Sequence, residues 1–251
     1  MIIALAIGML LISSSFVLYS QAMTKQGGSA RGGSILVPLY SGNASQFEEV
    51  IGIREKYGNV HVFVIINPDN GPGNASDPSL YGWVDRSEAS GITVLGYVYT
   101  DYGQRPTGGI LEDIHNYTKW YNIHAIFFDE VSDNVSLEPF YSNLVAQSRL
   151  VGVNFTVGNP GDFVPGGYLS IFNITVIYEN LGYPSLSALR TYGQNESKGR
   201  LAVIAYGVPF SPSEIVRIGE IAGVDYFSDQ SLPDPYQKLS SYIQEIASAF
   251  N

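Results

Sequence analysis

Eight short runs of nearly unbroken apolar, β-forming sequence alternate with stretches of helical character, and this alternation limits what the chain can become. The runs occupy residues 34–39, 60–66, 93–99, 124–128, 152–157, 174–178, 201–206 and 224–227. A strand wetted on one face alternates apolar and polar residues; most of these runs do not, so both of their faces are covered. Helix-start signals fall in the gaps. Ser45 with Glu48 has the pattern of a capping box, with Gly58 as the stop. Asp77-Pro78 and Asp234-Pro235 each set a capping acid before a proline suited to the first helical position. Ser211-Pro212-Ser213-Glu214 opens a segment in which Ile215, Ile218 and Ile221 recur at helical spacing. The pattern predicts a single-domain α/β fold, a (β/α)8 TIM barrel over 34–251, in the short part of a range that starts at about 200 residues. An open doubly wound sheet would use the same alternation with fewer strands.

Ahead of the barrel, Ile2 to Tyr19 is almost continuously apolar, and Ser20-Gln21-Ala22 offers a small-x-small cleavage pattern. Residues 1–22 are therefore expected to be a signal peptide or a retained membrane anchor, and 23–33 a Gly/Ser-rich tether. Both readings place the protein outside the cell or on its surface. Seven Asn-x-Ser/Thr sequons, at Asn43, Asn74, Asn116, Asn134, Asn154, Asn173 and Asn195, point the same way, although Asn154 is expected within a strand.

In a barrel of this kind the loops after the strand C-termini build the active site. The fourth run ends in Asp129-Glu130 and the sixth in Glu179. Side chains alternate along a strand, so Asp129 and Glu130 are expected to point different ways, one working and the other orienting it or binding substrate. Inward-leaning carboxylates from the fourth and sixth ends would stand about 5–9 Å apart, a span covering both retaining and inverting glycoside hydrolysis. Around them the same face collects Tyr40, Asn67, Tyr99, Asp101, Tyr102, Arg105, Asn159, Tyr206 and Asp229. Tyrosine faces and hydrogen-bonding side chains suit a sugar cleft, since pyranose rings present C–H faces and hydroxyl edges.

Other chemistries find little support. The net charge of −10 argues against nucleic acid, and the absence of cysteine removes thiolate catalysis. His61, His115 and His124 are scattered, and Asp129, Glu130 and Asp133 lack the glycine and spacing of a calcium loop. No metal and no cofactor is expected. Gly71-Pro72-Gly73 lacks the lysine of a phosphate loop and reads as a rigid turn.

Four motifs then occur in order: Val37-Pro38-Leu39-Tyr40, Ile66 to Gly73 (INPDNGPG), Gly96 to Arg105 (GYVYTDYGQR) and Ile126-Phe127-Phe128-Asp129-Glu130. Together they resemble the spherulin-4 family, which is similar to microbial glycoside hydrolases acting on galactosamine-containing exopolysaccharide. The resemblance implies a β/α barrel with catalytic acids after the fourth and sixth strands, at positions matching Asp129, Glu130 and Glu179. It further implies endo-hydrolysis of an α-1,4-linked galactosamine or N-acetylgalactosamine polymer. The roles expected are nucleophile or charge stabiliser for Asp129 and general acid/base for Glu179, with Glu130 tuning Asp129 or holding the sugar. A non-catalytic carbohydrate-binding protein and a cell-envelope structural protein are the alternatives on the same barrel.

Overall fold

The computed structural model describes Gly32–Tyr40 and Gly42–Asn251. The apolar segment 1–22 and the tether as far as residue 31 lie outside the described residues. Gly33, assigned to the tether from sequence, already belongs to the barrel: it is buried and its amide donates to Phe250 O at 3.3 Å.

Eight parallel strands close in sequence order: β1 Ser34–Pro38, β2 His61–Ile66, β3 Thr93–Tyr99, β4 Ala125–Asp129, β5 Phe155–Gly158, β6 Ile174–Leu181, β7 Leu201–Tyr206 and β8 Val224–Phe227. Outside them run α1 Ala44–Lys56, α2 Pro78–Ala89, α3 Thr107–Tyr121, α4 Glu138–Leu150, α5 Leu186–Gly193, α6 Pro212–Gly219 and α7 Ile243–Phe250. The predicted (β/α)8 barrel is therefore present, with one unit altered. After β5 there is no α-helix, only a 3₁₀ turn at Tyr168–Ser170. The intervening residues carry Pro160, Gly161, Pro165, Gly166 and Gly167, which oppose helix formation. The Phe172 ring takes the missing helix's place, lying so close over Gly158 that no side chain fits there.

Three local expectations are corrected. The capping box of α1 sits two residues earlier than Ser45/Glu48: Asn43 Oδ1 accepts from Gln46 N at 3.1 Å, and Gln46 Oε1 accepts from Asn43 N at 3.3 Å. That phase turns Phe47, Val50 and Ile51 into the core. Asp234-Pro235 starts no helix; residues 228–242 are irregular up to α7. The fifth strand begins at Phe155, because Gly152 turns with φ +102° and exposed Asn154 joins the sheet only through its amide to His124 O at 2.8 Å. By contrast, Asp77 caps α2 as its sequence suggests, accepting from Ser79 N at 2.8 Å ahead of Pro78.

Residues of opposite parity face the barrel interior and the helices. Gly96 faces α3, where an added Cβ would lie 2.6 Å from the Tyr117 ring. Its neighbours Leu95 and Tyr97 therefore point inward, and the register carries this parity to Ala125, Phe127 and Asp129, then to Phe155 and Val157, then to Ile174 and Val176. Phe63 of β2 stacks on Phe155 from the other side of the barrel at 5.5 Å. Each such buried ring contributes roughly 1.5–3 kcal/mol of transfer free energy.

One departure from this parity decides the chemistry. Pairing of β6 with β7 slips between Val176 and Tyr178, so Ile177 is an extra residue. Were Ile177 paired in register instead of bulged, Tyr178 and Asn180 would follow Val176 inward. With the bulge, Glu179 pairs beside Ile204 and turns to the barrel mouth.

Candidate active site

Asp129 ends β4 on its inward face. Its carboxylate accepts from the amide nitrogen of Asn159 at 2.7 Å, from the Tyr97 hydroxyl and from the backbone amide of Glu130. Asn159 follows β5 and is clamped by its own backbone: its amide donates to Phe128 O at 2.8 Å and its carbonyl accepts from Val131 N at 3.0 Å. The same side-chain nitrogen of Asn159 also donates to Glu179 Oε2, and the Tyr236 hydroxyl donates to Glu179 Oε1. Two oxygens that share the two N–H bonds of one amide stand roughly 4–5 Å apart. The spacing is thus at the near end of the range expected from the strands. Asn159 Oδ1, the other end of the amide, is buried without a hydrogen-bond partner among the described residues.

The two acids differ in proton affinity. Burial pushes both carboxyls up, but Asp129 receives three hydrogen bonds that favour its ionised form. Glu179 is pushed up to about 7, by burial first and then by the Asp129 charge, with the bonds from Tyr236 and Asn159 opposing. Asp129 therefore ionises first, and Glu179 keeps its proton into the neutral range.

Tyrosines enclose the pair. Tyr40, at the end of β1, meets Tyr97 edge-on at 5.5 Å and Tyr236 at 5.4 Å, and Tyr206 meets Tyr236 at 6.3 Å. Burial, and then the nearby carboxylates, raise the pKa of Tyr40, Tyr97 and Tyr236 well above the usual phenol value. These hydroxyls act as hydrogen-bond donors, not anions.

The rim joining β3 and β4 is strained. Asp101, Tyr102 and Glu130 all have left-handed φ, of 49°, 52° and 51°. Thr100 holds them: its hydroxyl donates to Glu130 O at 2.7 Å, and Tyr102 N donates to the same oxygen at 2.8 Å. Such conformations persist only where surrounding bonds enforce them, commonly at functional sites. Here they turn Glu130 away from Asp129, as alternation along the strand suggested, and its carboxylate accepts from the Asp101 amide. They also leave Tyr102 54% exposed at the rim.

Other residues read from the sequence have different settings. Arg105 bonds Asp113 at 2.6 Å, the carbonyls of Tyr99 and Gly109, and lies over the Tyr99 ring at 4.1 Å. Arg105, Tyr99 and Asp113 thus brace the rim. Asn67 Oδ1 accepts from Gly71 N at 2.9 Å and shapes the β2 loop. Exposed Asp229 accepts from Ser241 N at 3.0 Å and from the Gln230 side chain, anchoring the segment that carries Tyr236.

Two residues of the cluster, Tyr97 and Tyr236, were not singled out in the sequence. Tyr97 had a usable signal, since it lies two residues before Tyr99 and shares its inward parity. Tyr236 had none, because it reaches the mouth from an irregular loop. Among the described residues no group of three metal-ligating side chains occurs.

Comparison with known proteins agrees with this architecture. Spherulin-4 of Physarum polycephalum is 34% identical over 152 residues, an alignment covering 59% of this chain and 45% of that protein, so the chain spans less than half of the curated relative's length. The crystal structure of Aspergillus clavatus Sph3 in complex with GalNAc superposes with a TM-score of 0.78 at 21% identity, covering 88% of this chain and 99% of the other. The catalytic domain of a family GH18 chitinase from the fern Peteris ryukyuensis matches with a TM-score of 0.53 at 14% identity, over 86% and 98%. The structural likenesses show the barrel fold. The model of the spherulation-specific family 4 matches residues 34–250, essentially the whole barrel, and the chain belongs to that family.

Proposed function

We propose that this protein is a glycoside hydrolase that cleaves an amino-sugar exopolysaccharide with Asp129 as nucleophile and Glu179 as general acid/base. The observation that carries the reading is the shared amide of Asn159, which holds the two carboxylates together while their proton affinities differ. A spacing of roughly 4–5 Å is close to the ~5–5.5 Å of retaining enzymes and leaves no room for the water that inversion needs.

In the first step Glu179 gives its proton to the glycosidic oxygen as the C1–O bond breaks, and an Asp129 oxygen bonds to C1. In the second, ionised Glu179 takes a proton from water, whose oxygen attacks C1 and expels Asp129, releasing the sugar with its original anomeric configuration. Asn159 and Tyr97 bear on the Asp129 charge, and Tyr236 on the Glu179 proton. No cofactor is required by these steps. The substrate class, an α-1,4-linked polymer of galactosamine or N-acetylgalactosamine cut internally, is supported by family membership and by the relative whose structure holds GalNAc. Export, by a cleaved signal or with a membrane anchor retained, belongs to the same reading and is supported by the apolar run 2–19 and the sequons.

The test is to incubate the protein with galactosaminogalactan and related amino-sugar polymers and assay new reducing ends, with proton NMR following the first anomer formed. Product from the wild type and none from Asp129→Asn or Glu179→Gln supports the assignment. Oligosaccharide binding without new reducing ends would instead make the barrel a lectin.

A further inference from the structure

Beside the carboxylate pair, a cavity of about 380 Å³ opens between the ends of β1 and β2 and the first turn of α2. Its walls include Tyr40, Asn67, Asp77, Ser79, Leu80 and Trp83. Tyr40 is common to this cavity and the mouth, since its ring also meets Tyr97 and Tyr236, the tyrosines bonded to Asp129 and Glu179. The cavity is thus one side chain away from the carboxylate cluster. Its volume lies within the roughly 300–1,000 Å³ typical of small-ligand sites.

The polar groups in the wall are only half used by the fold. Asp77 Oδ1 accepts from Ser79 N at 2.8 Å and Leu80 N at 3.4 Å, and Asn67 Oδ1 accepts from Gly71 N at 2.9 Å. The second Asp77 oxygen, the Asn67 amide nitrogen and the Ser79 hydroxyl have no hydrogen-bond partner among the described residues. Leu80 and the edge of Trp83 supply apolar contact; the Trp83 faces are taken by Phe47 at 5.4 Å and Arg86 at 4.6 Å. Asp77 is the one charged residue in the wall among the described residues. The N-terminus of α2 adds about half a positive charge, so a full carboxylate leaves the cavity net negative.

We propose that this cavity is a second sugar subsite, taking a unit of the substrate chain with an unacetylated 2-ammonium group, which Asp77 pairs. The substrate's identity rests on the hydrolase reading, whereas the cavity and its charge do not. An N-acetyl unit brings no charge to pair with Asp77, so the subsite would favour partly deacetylated polymer.

The two tryptophans of the chain allow a readout independent of turnover, because Trp83 lines the cavity and Trp120 lies on α3. Titrate the full chain with α-1,4-linked galactosamine trisaccharide and follow both indole N–H resonances, then repeat with the N-acetylated trisaccharide and with Asp77→Asn. Asparagine caps a helix as well as aspartate, so this variant removes charge and keeps the fold. The expected result is a saturable shift of the Trp83 resonance with the amino sugar, weakened about tenfold by Asp77→Asn and by added salt, with Trp120 unmoved. An unmoved Trp83 resonance overturns the subsite. Equal binding of both trisaccharides, or equal binding by the variant, overturns the ammonium pairing. Should Trp83 respond while no polymer yields reducing ends, the hydrolase reading fails and the subsite stands.

Discussion

Asp129 and Glu179 accept hydrogen bonds from a single nitrogen, that of the Asn159 side chain, although they belong to strands two places apart in the barrel. One amide thereby sets their distance and stabilises charge on both. Its removal should do more than loosen the site. Asn159→Ala is expected to lower kcat by about 10²-fold or more with little change in KM. Because the lost bonds favour the ionised forms, both limbs of the pH–rate profile should move to higher pH. A uniform loss of activity with unmoved limbs would make Asn159 merely structural.

Activity should require Asp129 ionised and Glu179 protonated. Glu179 is pushed up to about 7, so kcat/KM is expected to fall as pH rises above about 7, and the acid limb should follow Asp129. Carboxyl carbon NMR of the free protein checks the order of ionisation. If Asp129 holds its proton after Glu179 has lost its own, the two roles are exchanged.

The same shift makes Glu179 a burden on stability at high pH. Its folded-state value lies above the ordinary 4.5, so the stability it contributes is complete below about pH 4.5 and is lost as pH rises through 7. Glu179→Gln should therefore melt higher than wild type at pH 8, by a free energy on the order of 3 kcal/mol, and close to wild type at pH 4.5. Thermal melts at both values decide the matter, and equal differences at both would refute it.

Tyr236→Phe removes the hydroxyl bonded to Glu179 and leaves the ring contacts with Tyr40 and Tyr206. That bond lowers the Glu179 pKa, so the basic limb should shift upward while kcat drops about tenfold. A titration curve superposable on that of the wild type would remove Tyr236 from the proton's environment.

Gly96→Ala tests the close approach of α3 to the barrel. The new methyl would lie 2.6 Å from the Tyr117 ring, and overpacking of this kind costs about 1–3 kcal/mol. A fall in Tm of several degrees is expected, and an unchanged Tm would mean that α3 yields freely.

The barrel was legible because strands covered on both faces are apolar throughout, and the acids at 129 and 179 stood out as abrupt ends to such runs. The placement of α1 was misread because Asn43 and Ser45 both suit a cap, and only the burial of Phe47 and Val50 chooses between them. The absent fifth helix was announced by Pro160, Pro165 and paired glycines, but the periodic pattern around them masked it. Arg105 looked free to meet substrate because its partner Asp113 lies eight residues beyond the motif and is met only in the folded rim. Tyr236 was beyond reach, since nothing local marks where a loop after the last strand will fold back.

The extra residue Ile177 carries a consequence for descent within the family. Pleated chains count in twos, so dropping this single amino acid would merely restore an unbroken ladder with Glu179 still over the mouth, whereas one residue added between Tyr178 and Glu179 would swing the acid toward the surrounding helices. A relative with such an insertion would lose the acid from its mouth in one genetic event, with every motif on the first four strands still intact.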